Sequence, residues 1–312
     1  MGRALGRPLP PAGGQPAGHA GNLVRMSRPP TFRPPACARA YALRTSRGEF
    51  AVLDAGPGPC PDGGVRDRKG TALLLPGYTG SKEDFIALLE PIAAAGFRAV
   101  AVDGRGQYET GGPDDESAYA QTELARDVLA QAEAIGDAPV HLVGHSLGGQ
   151  IARAAVLLDV RPFRTLTLMS SGPARIAPAQ QHKVKLLNDA LAVMDMSEVW
   201  EAMRALDPPE EASTDGEEMR QRWLRHRPAQ LRATGRQLTV EPDRVDELAA
   251  AGPLPVHVLS GERDDTWPVP LLDEMAARLG AFRTVIQGAE HSPNTDRPAP
   301  TAEALVDFWS RH

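Results

Sequence analysis

At 312 residues, with 42% hydrophobic and 24% charged side chains, the chain is long enough for one α/β domain with an insertion and a sizeable core. A net charge of -6 provides no basic stripe for a phosphate backbone, so nucleic acid is not an expected partner. No stretch approaches the ~18 consecutive apolar residues of a membrane span, and the N-terminus lacks the apolar block of a secretory signal, which predicts a soluble, cytoplasmic protein.

Residues 1–36 are dominated by Pro, Gly, Ala and Arg without hydrophobic periodicity and are expected to form a disordered tail, with Met26 as an alternative start. Cys37 and Cys60 lie in irregular sequence without Cys-x-x-Cys spacing, which argues against a disulfide framework or a thiolate zinc site. They suit a reducing compartment, and a single disulfide stays open. Residues 40–43 and 50–54 read as a hairpin about Arg47-Gly48. The glycine-rich segment 56–64 has neither dinucleotide nor phosphate-loop spacing and reads as a solvated loop. Strand 72–75 is followed by a helix over 83–95 with apolar Phe85, Ile86, Leu88, Leu89 and Ile92. Strand 98–102, helix 122–135, strand 140–143, helix 149–158 and strand 165–169 continue the alternation.

Between residues 171 and 253 no strand-like run occurs. Helical spacing is present instead over 184–194, with Leu187, Leu191 and Met194, and over 199–206, with Trp200 and Met203. The acidic run 207–218 reads as a solvated connection, and Met194, Trp200, Met203 and Trp223 as core. Alternation resumes with strand 256–259, helix 271–279, strand 283–286 and helix 301–309. The pattern predicts an α/β fold, a mostly parallel sheet flanked by helices, built from residues 37–172 and 253–312, with a helical cap over 173–252.

The chemistry is concentrated in Gly144-His145-Ser146-Leu147-Gly148, set between an apolar strand and a helix, the context of a nucleophile elbow. The plainer reading is a glycine-rich turn after a buried strand. A serine nucleophile needs a histidine base and a carboxylate to orient it. Past the strand ending at Leu259 stand Gly261, Asp264, Asp265 and Pro268, and past the strand ending at Ile286 stands His291. In a parallel sheet all would project from strand C-terminal ends.

With Gly144-x-Ser146-x-Gly148, Gly261-x-x-Asp264 and the late His291, the chain resembles the α/β-hydrolase superfamily, in its serine esterase or lysophospholipase-like group with a helical cap, over residues 40–310. The resemblance implies Ser146 as nucleophile, His291 as base and Asp264 as acid, with Asp265 as second candidate. It implies an oxyanion hole from the main-chain amides of Leu147 and Tyr78, with Pro76 standing where relatives carry histidine. Asp103-Gly104-Arg105-Gly106 resembles a family turn of structural role. The Tyr78 ring is open to either an acyl-pocket or a packing role. His141, His145 and His257 are expected in the core and His182 and His226 in solvent. No cofactor or metal is implied. The expected reaction is cleavage of a small ester through an acyl-enzyme. Thioesterase, amidase, carbon-carbon bond hydrolase and cofactor-free perhydrolase use the same residues, and a non-catalytic binding module of hydrolase fold stays open. Dehalogenases and epoxide hydrolases of this fold attack with aspartate, against which Ser146 stands.

Overall fold

The computed structural model describes residues 26–58, 68–206 and 216–312. In chain order they form the hairpin β1 (Ala38–Thr45) and β2 (Gly48–Ala55), then β3 (Gly70–Leu75), α1 (Ile86–Ala94), β4 (Phe97–Val102), α2 (Gln121–Ile135), β5 (Val140–His145), α3 (Leu147–Leu158) and β6 (Phe163–Met169). Five helices follow: α4 (Pro178–Leu191), α5 (Met196–Leu206), α6 (Gly216–Arg225), α7 (Pro228–Val240) and α8 (Val245–Ala250). The chain then returns as β7 (Val256–Gly261), α9 (Val269–Leu279), β8 (Phe282–Ile286), α10 (Pro293–Asp296) and α11 (Pro298–Ser310).

The eight strands make one sheet in the order β1-β2-β4-β3-β5-β6-β7-β8. β1, β2 and β4 pair antiparallel, and every other pair is parallel. A parallel sheet is buried on both faces, so its strands read as continuous apolar runs whose side chains alternate between two cores. Leu73, Leu75, Val100, Val102 and Leu142 fall in one core with α2 and α3. Ala72, Leu74, Ala99, Ala101 and Val143 fall in the other, with α1 and α11. Burying each such leucine or valine stabilises the fold by roughly 1.5–3 kcal/mol. Helix ends follow local chemistry: Gly136 and Gly280 take left-handed φ of 76° and 58° to close α2 and α9.

Four sequence expectations are modified. The tail joins the fold from Met26, which is only 8% exposed in the core, while Ser27 Oγ bonds Asp84 and the Phe32 ring lies 5.9 Å from the Arg222 guanidinium. Residues 1–25, the part of the glycine-rich loop from 59 onward with Cys60, and the acidic stretch 207–215 lie outside the described residues. The helix expected over 83–95 is divided, because a 3-10 turn, Lys82–Phe85, precedes α1 and its Lys82 N–H is taken by the Asp103 carboxylate at 2.7 Å. The acidic run does not stay a connection to its end, since α6 begins at Gly216. In the insertion α4 packs on α7 and α5 on α6, whereas α8 packs against α3 and α9 and so belongs to the sheet-covering layer. Cys37 is a free thiol.

Candidate active site

The parallel strands β5, β7 and β8 each turn at the C-terminal end into a loop that carries one of the three candidate side chains. Ser146 follows β5 with φ 54° and ψ -119°, a conformation costly for a side-chain-bearing residue and one that lifts its hydroxyl out of the chain path. Its N–H is tied to the Met169 carbonyl at 2.9 Å. The flanking glycines serve close approach rather than the turn angle itself. A Cβ on Gly144 would stand 2.3 Å from the Gly148 carbonyl oxygen, and one on Gly148 2.5 Å from that of Leu75. The strain therefore sits on the serine, and the glycines let α3 start against β3 and β5.

Three side chains converge from three loops. His291 Nε2 is 3.0 Å from Ser146 Oγ, and His291 Nδ1 is 3.0 Å from both Asp264 oxygens. Asp264 also accepts the N–H groups of Thr266 and Trp267 at 2.9 and 3.1 Å, and its carboxylate is fully buried. Asp265 points elsewhere, accepting from Gln180 Nε2 of α4 at 2.6 Å. The acid and base loops lie so close that a Cβ on Gly261 would stand 2.0 Å from the Glu290 carbonyl oxygen, which gives the glycine of Gly-x-x-Asp its reason. The Arg263 N–H donates to the Ala289 carbonyl and joins the two loops.

Electrostatics reinforce this order. Burial would raise the Asp264 carboxyl, but the facing His291 and the two amides hold it below its ordinary 3.8. Burial pulls His291 down, and the charge and hydrogen bond of Asp264 outweigh it, leaving the imidazole above its ordinary 6.5. His145 is pushed down to about 4 by burial and is neutral. Its Nε2 therefore carries the hydrogen donated to the His291 carbonyl at 2.9 Å, and Nδ1 has no partner among the described residues.

The loop after β3 lies against the elbow. A Cβ on Gly77 would be 3.3 Å from Ser146 Cβ. Neither the Tyr78 nor the Leu147 main-chain N–H donates to another described residue, so both are free for a ligand oxygen. The Tyr78 ring has a packing role: it is 6% exposed and its hydroxyl donates to the Leu231 carbonyl of α7 at 2.8 Å. His226, expected in solvent, is buried, because its two ring nitrogens lie 2.8 Å from the Arg222 carbonyl and 3.2 Å from that of Gly80. His141 and His257 are core residues bonded to Thr165 and Thr284. His182 is exposed, while Trp200, Met203 and Trp223 are buried.

Asp103 is buried with Lys82 Nζ at 2.9 Å, consistent with the structural role expected of its turn. Burial alone would lower the Lys82 ammonium, but Asp103 and Glu83 keep it above its ordinary value. Sequence reasoning missed Asp84, Gln107 and Arg222, whose roles depend on partners far along the chain. Among the described residues no group of three or more His, Cys, Asp or Glu side chains is placed to hold a metal ion, and no helix is long and apolar enough to cross a membrane.

Comparison with known proteins gives the arrangement its context. The family model described as the alpha/beta hydrolase family matches residues 72–304, from β3 into the last helix. The chain belongs to the α/β hydrolase family. This α/β hydrolase is 31% identical over 233 residues to the pimeloyl-(acyl-carrier protein) methyl ester esterase of Aeromonas hydrophila subsp. hydrophila, covering 70% of this chain and 87% of the relative. It is 28% identical over 245 residues to a 2-hydroxy-6-oxononadienedioate/2-hydroxy-6-oxononatrienedioate hydrolase of Paraburkholderia xenovorans, covering 75% and 83%. The thermophilic esterase of Thermogutta terrifontis shares the fold at a TM-score of 0.67 and 21% identity, over 88% of this chain and 99% of that one. The hydrolase family, the mostly parallel sheet and its flanking helices agree with the sequence reading.

Proposed function

We propose that this hydrolase cleaves a small carboxylic ester through an acyl-enzyme on Ser146. The observation that carries the reading is the unbroken relay from Ser146 Oγ through His291 to Asp264, with 3.0 Å at each step. His291 takes the hydroxyl proton as Ser146 Oγ attacks the ester carbonyl, and Asp264 stabilises the imidazolium that forms. The negative charge on the carbonyl oxygen is held by the Tyr78 and Leu147 amides. Collapse of this intermediate breaks the ester bond, and His291 passes its proton to the leaving alkoxide. Water then attacks the acyl-enzyme with His291 again as base, releasing the acid and restoring Ser146.

An ester substrate is supported by the methyl ester esterase relative. A second reading, carbon-carbon bond hydrolysis on the same residues, is favoured by the oxononadienedioate hydrolase relative. Purified wild type and Ser146→Ala are assayed on p-nitrophenyl esters of increasing acyl length and on a 2-hydroxy-6-oxo-dienoate, with circular dichroism as the folding control. Ester turnover that falls by at least about 10³-fold in the folded variant supports the proposal. Unimpaired turnover in Ser146→Ala overturns the mechanism, and turnover of the dienoate alone moves the assignment to the second reading.

A further inference from the structure

The oxyanion hole asks more of the chain than an amide in the right neighbourhood. A hydrogen bond to a developing charge is most effective when the donor is already aimed and nothing reorganises during reaction. The Leu147 N–H is aimed by α3, whose first residue it is. Tyr78 lies in a turn, outside helix or strand, closed by the Gly80 N–H on the Gly77 carbonyl at 3.2 Å, a long bond that leaves a second restraint on the peptide to be supplied.

That constraint is visible on the opposite side of the same peptide unit. Gln107 Nε2 donates to the Gly77 carbonyl at 2.8 Å, while its Oε1 accepts the Gly104 N–H at 2.9 Å. One orientation of the side-chain amide satisfies both bonds, because a carbonyl can only accept and an N–H only donate. In a planar trans peptide the C=O and N–H point in opposite directions. Fixing the Gly77 carbonyl towards Gln107 thus fixes the Tyr78 N–H away from it. Resting on the acyl-transfer reading above, we propose that Gln107 is a positioning residue for the oxyanion hole, holding the Gly77–Tyr78 peptide plane so that the Tyr78 N–H faces the reacting oxygen.

The surroundings of Gln107 are built to hold it still. It is 6% exposed, and its N–H donates to the Gly104 carbonyl at 2.9 Å. A Cβ on Gly104 would stand 2.7 Å from Gln107 Oε1, so a side chain there would push the amide off its present position over the turn. The next residue, Tyr108, has φ 38°, a strained conformation for a tyrosine. Its ring lies 4.8 Å from Lys82 Nζ and 5.3 Å from the Arg225 guanidinium, two cation contacts that hold the strained turn in place.

The test compares Gln107→Leu, Gln107→Glu and Gly104→Ala with wild type. Glutamate keeps the acceptor for the Gly104 N–H but, ionised, donates nothing to Gly77, which separates support of the turn from orientation of the peptide. Gly104→Ala displaces the amide without removing it. Active sites are counted by fluorophosphonate titration, kcat and KM are measured on a p-nitrophenyl ester, and inhibition is measured with a trifluoromethyl ketone that forms a tetrahedral adduct on the serine. Since complete loss of an oxyanion donor costs about 10²–10³ in kcat, tilting one is expected to cost about 10- to 100-fold per active site. KM should stay within about threefold, and ketone affinity should fall in parallel with kcat/KM. Wild-type kcat and ketone affinity in Gln107→Glu or Gly104→Ala overturn the proposal, as does a loss that vanishes once active sites are counted. Full ester turnover by Ser146→Ala would instead overturn the underlying reading, whatever the Gln107 variants do.

Discussion

Arg222 of α6 lies fully buried against Asp84, with Nη1 2.7 Å from Oδ1, and couples the helical insertion to the turn that follows the Tyr78 loop. The same guanidinium donates to the Ser27 carbonyl, so one side chain joins the insertion, the sheet layer and the N-terminal segment. Removing one partner of such a pair leaves a buried charge without compensation, at a cost of about 3–5 kcal/mol. Arg222→Met is expected to lose that much in urea unfolding, and Arg222→Met with Asp84→Asn to recover part of it. A single variant within 1 kcal/mol of wild type would show that the pair does not join these layers.

The two adjacent aspartates are expected to separate sharply. In the proposed relay Asp264 fixes the tautomer of His291, and loss of that function costs about 10⁴ in kcat in a serine hydrolase. Asp264→Asn should therefore show a loss of that order on the ester. Asp265, paired with Gln180 on the surface, should change kcat by no more than a few-fold when made asparagine. Equal losses in the two variants would contradict the geometry.

What the sequence made legible followed from local signals. Apolar runs located every strand of the sheet, and Gly144-x-Ser146-x-Gly148 placed Ser146 at a strand-to-helix turn because its steric requirements lie within five residues. Gly261 and Asp264 stood out for the same reason. His226 and Arg222 did not, because a polar residue on an amphipathic helix reads as solvated unless its partner is known, and Gly80 and Asp84 lie more than a hundred positions away. Met26 was misplaced with its Pro- and Gly-rich surroundings, since composition does not reveal that one methionine finds a hole in the core. Gln107 was hidden by a different cause: its function lies in orienting a main-chain peptide, for which no residue pattern exists.

Four buried histidines make stability sensitive to acid. Burial lowers His141 and His257 to about 3 and His145 and His226 to about 4. Below the ordinary 6.5 the unfolded chain takes up protons at these sites that the folded protein does not, so the unfolded state is favoured as pH falls. Their joint contribution is complete above 6.5 and is lost progressively as pH falls, towards about 4 for His145 and His226 and about 3 for His141 and His257. His291 works in the opposite sense: its raised value stabilises the fold below 6.5, and that contribution is lost as pH rises through its folded value. Thermal unfolding between pH 4 and 7 should show Tm rising with pH, and His257→Phe should flatten the rise. A Tm independent of pH in this window would exclude neutral burial of these rings.

Activity should follow His291. The protonated imidazole cannot accept the Ser146 proton, so kcat/KM on the ester should be low at acid pH and rise with pH through the His291 value, which Asp264 places above 6.5. Asp265 contributes to the same upward displacement by its charge, without touching the ring. Asp265→Asn therefore offers a clean perturbation: the plateau rate stays near wild type while the acid limb moves to lower pH. Added salt should shrink that displacement, because the interaction of Asp265 with the ring crosses solvent-exposed surface. An acid limb that does not move in Asp265→Asn, or that moves upward, would mean that the Asp265 charge does not raise His291.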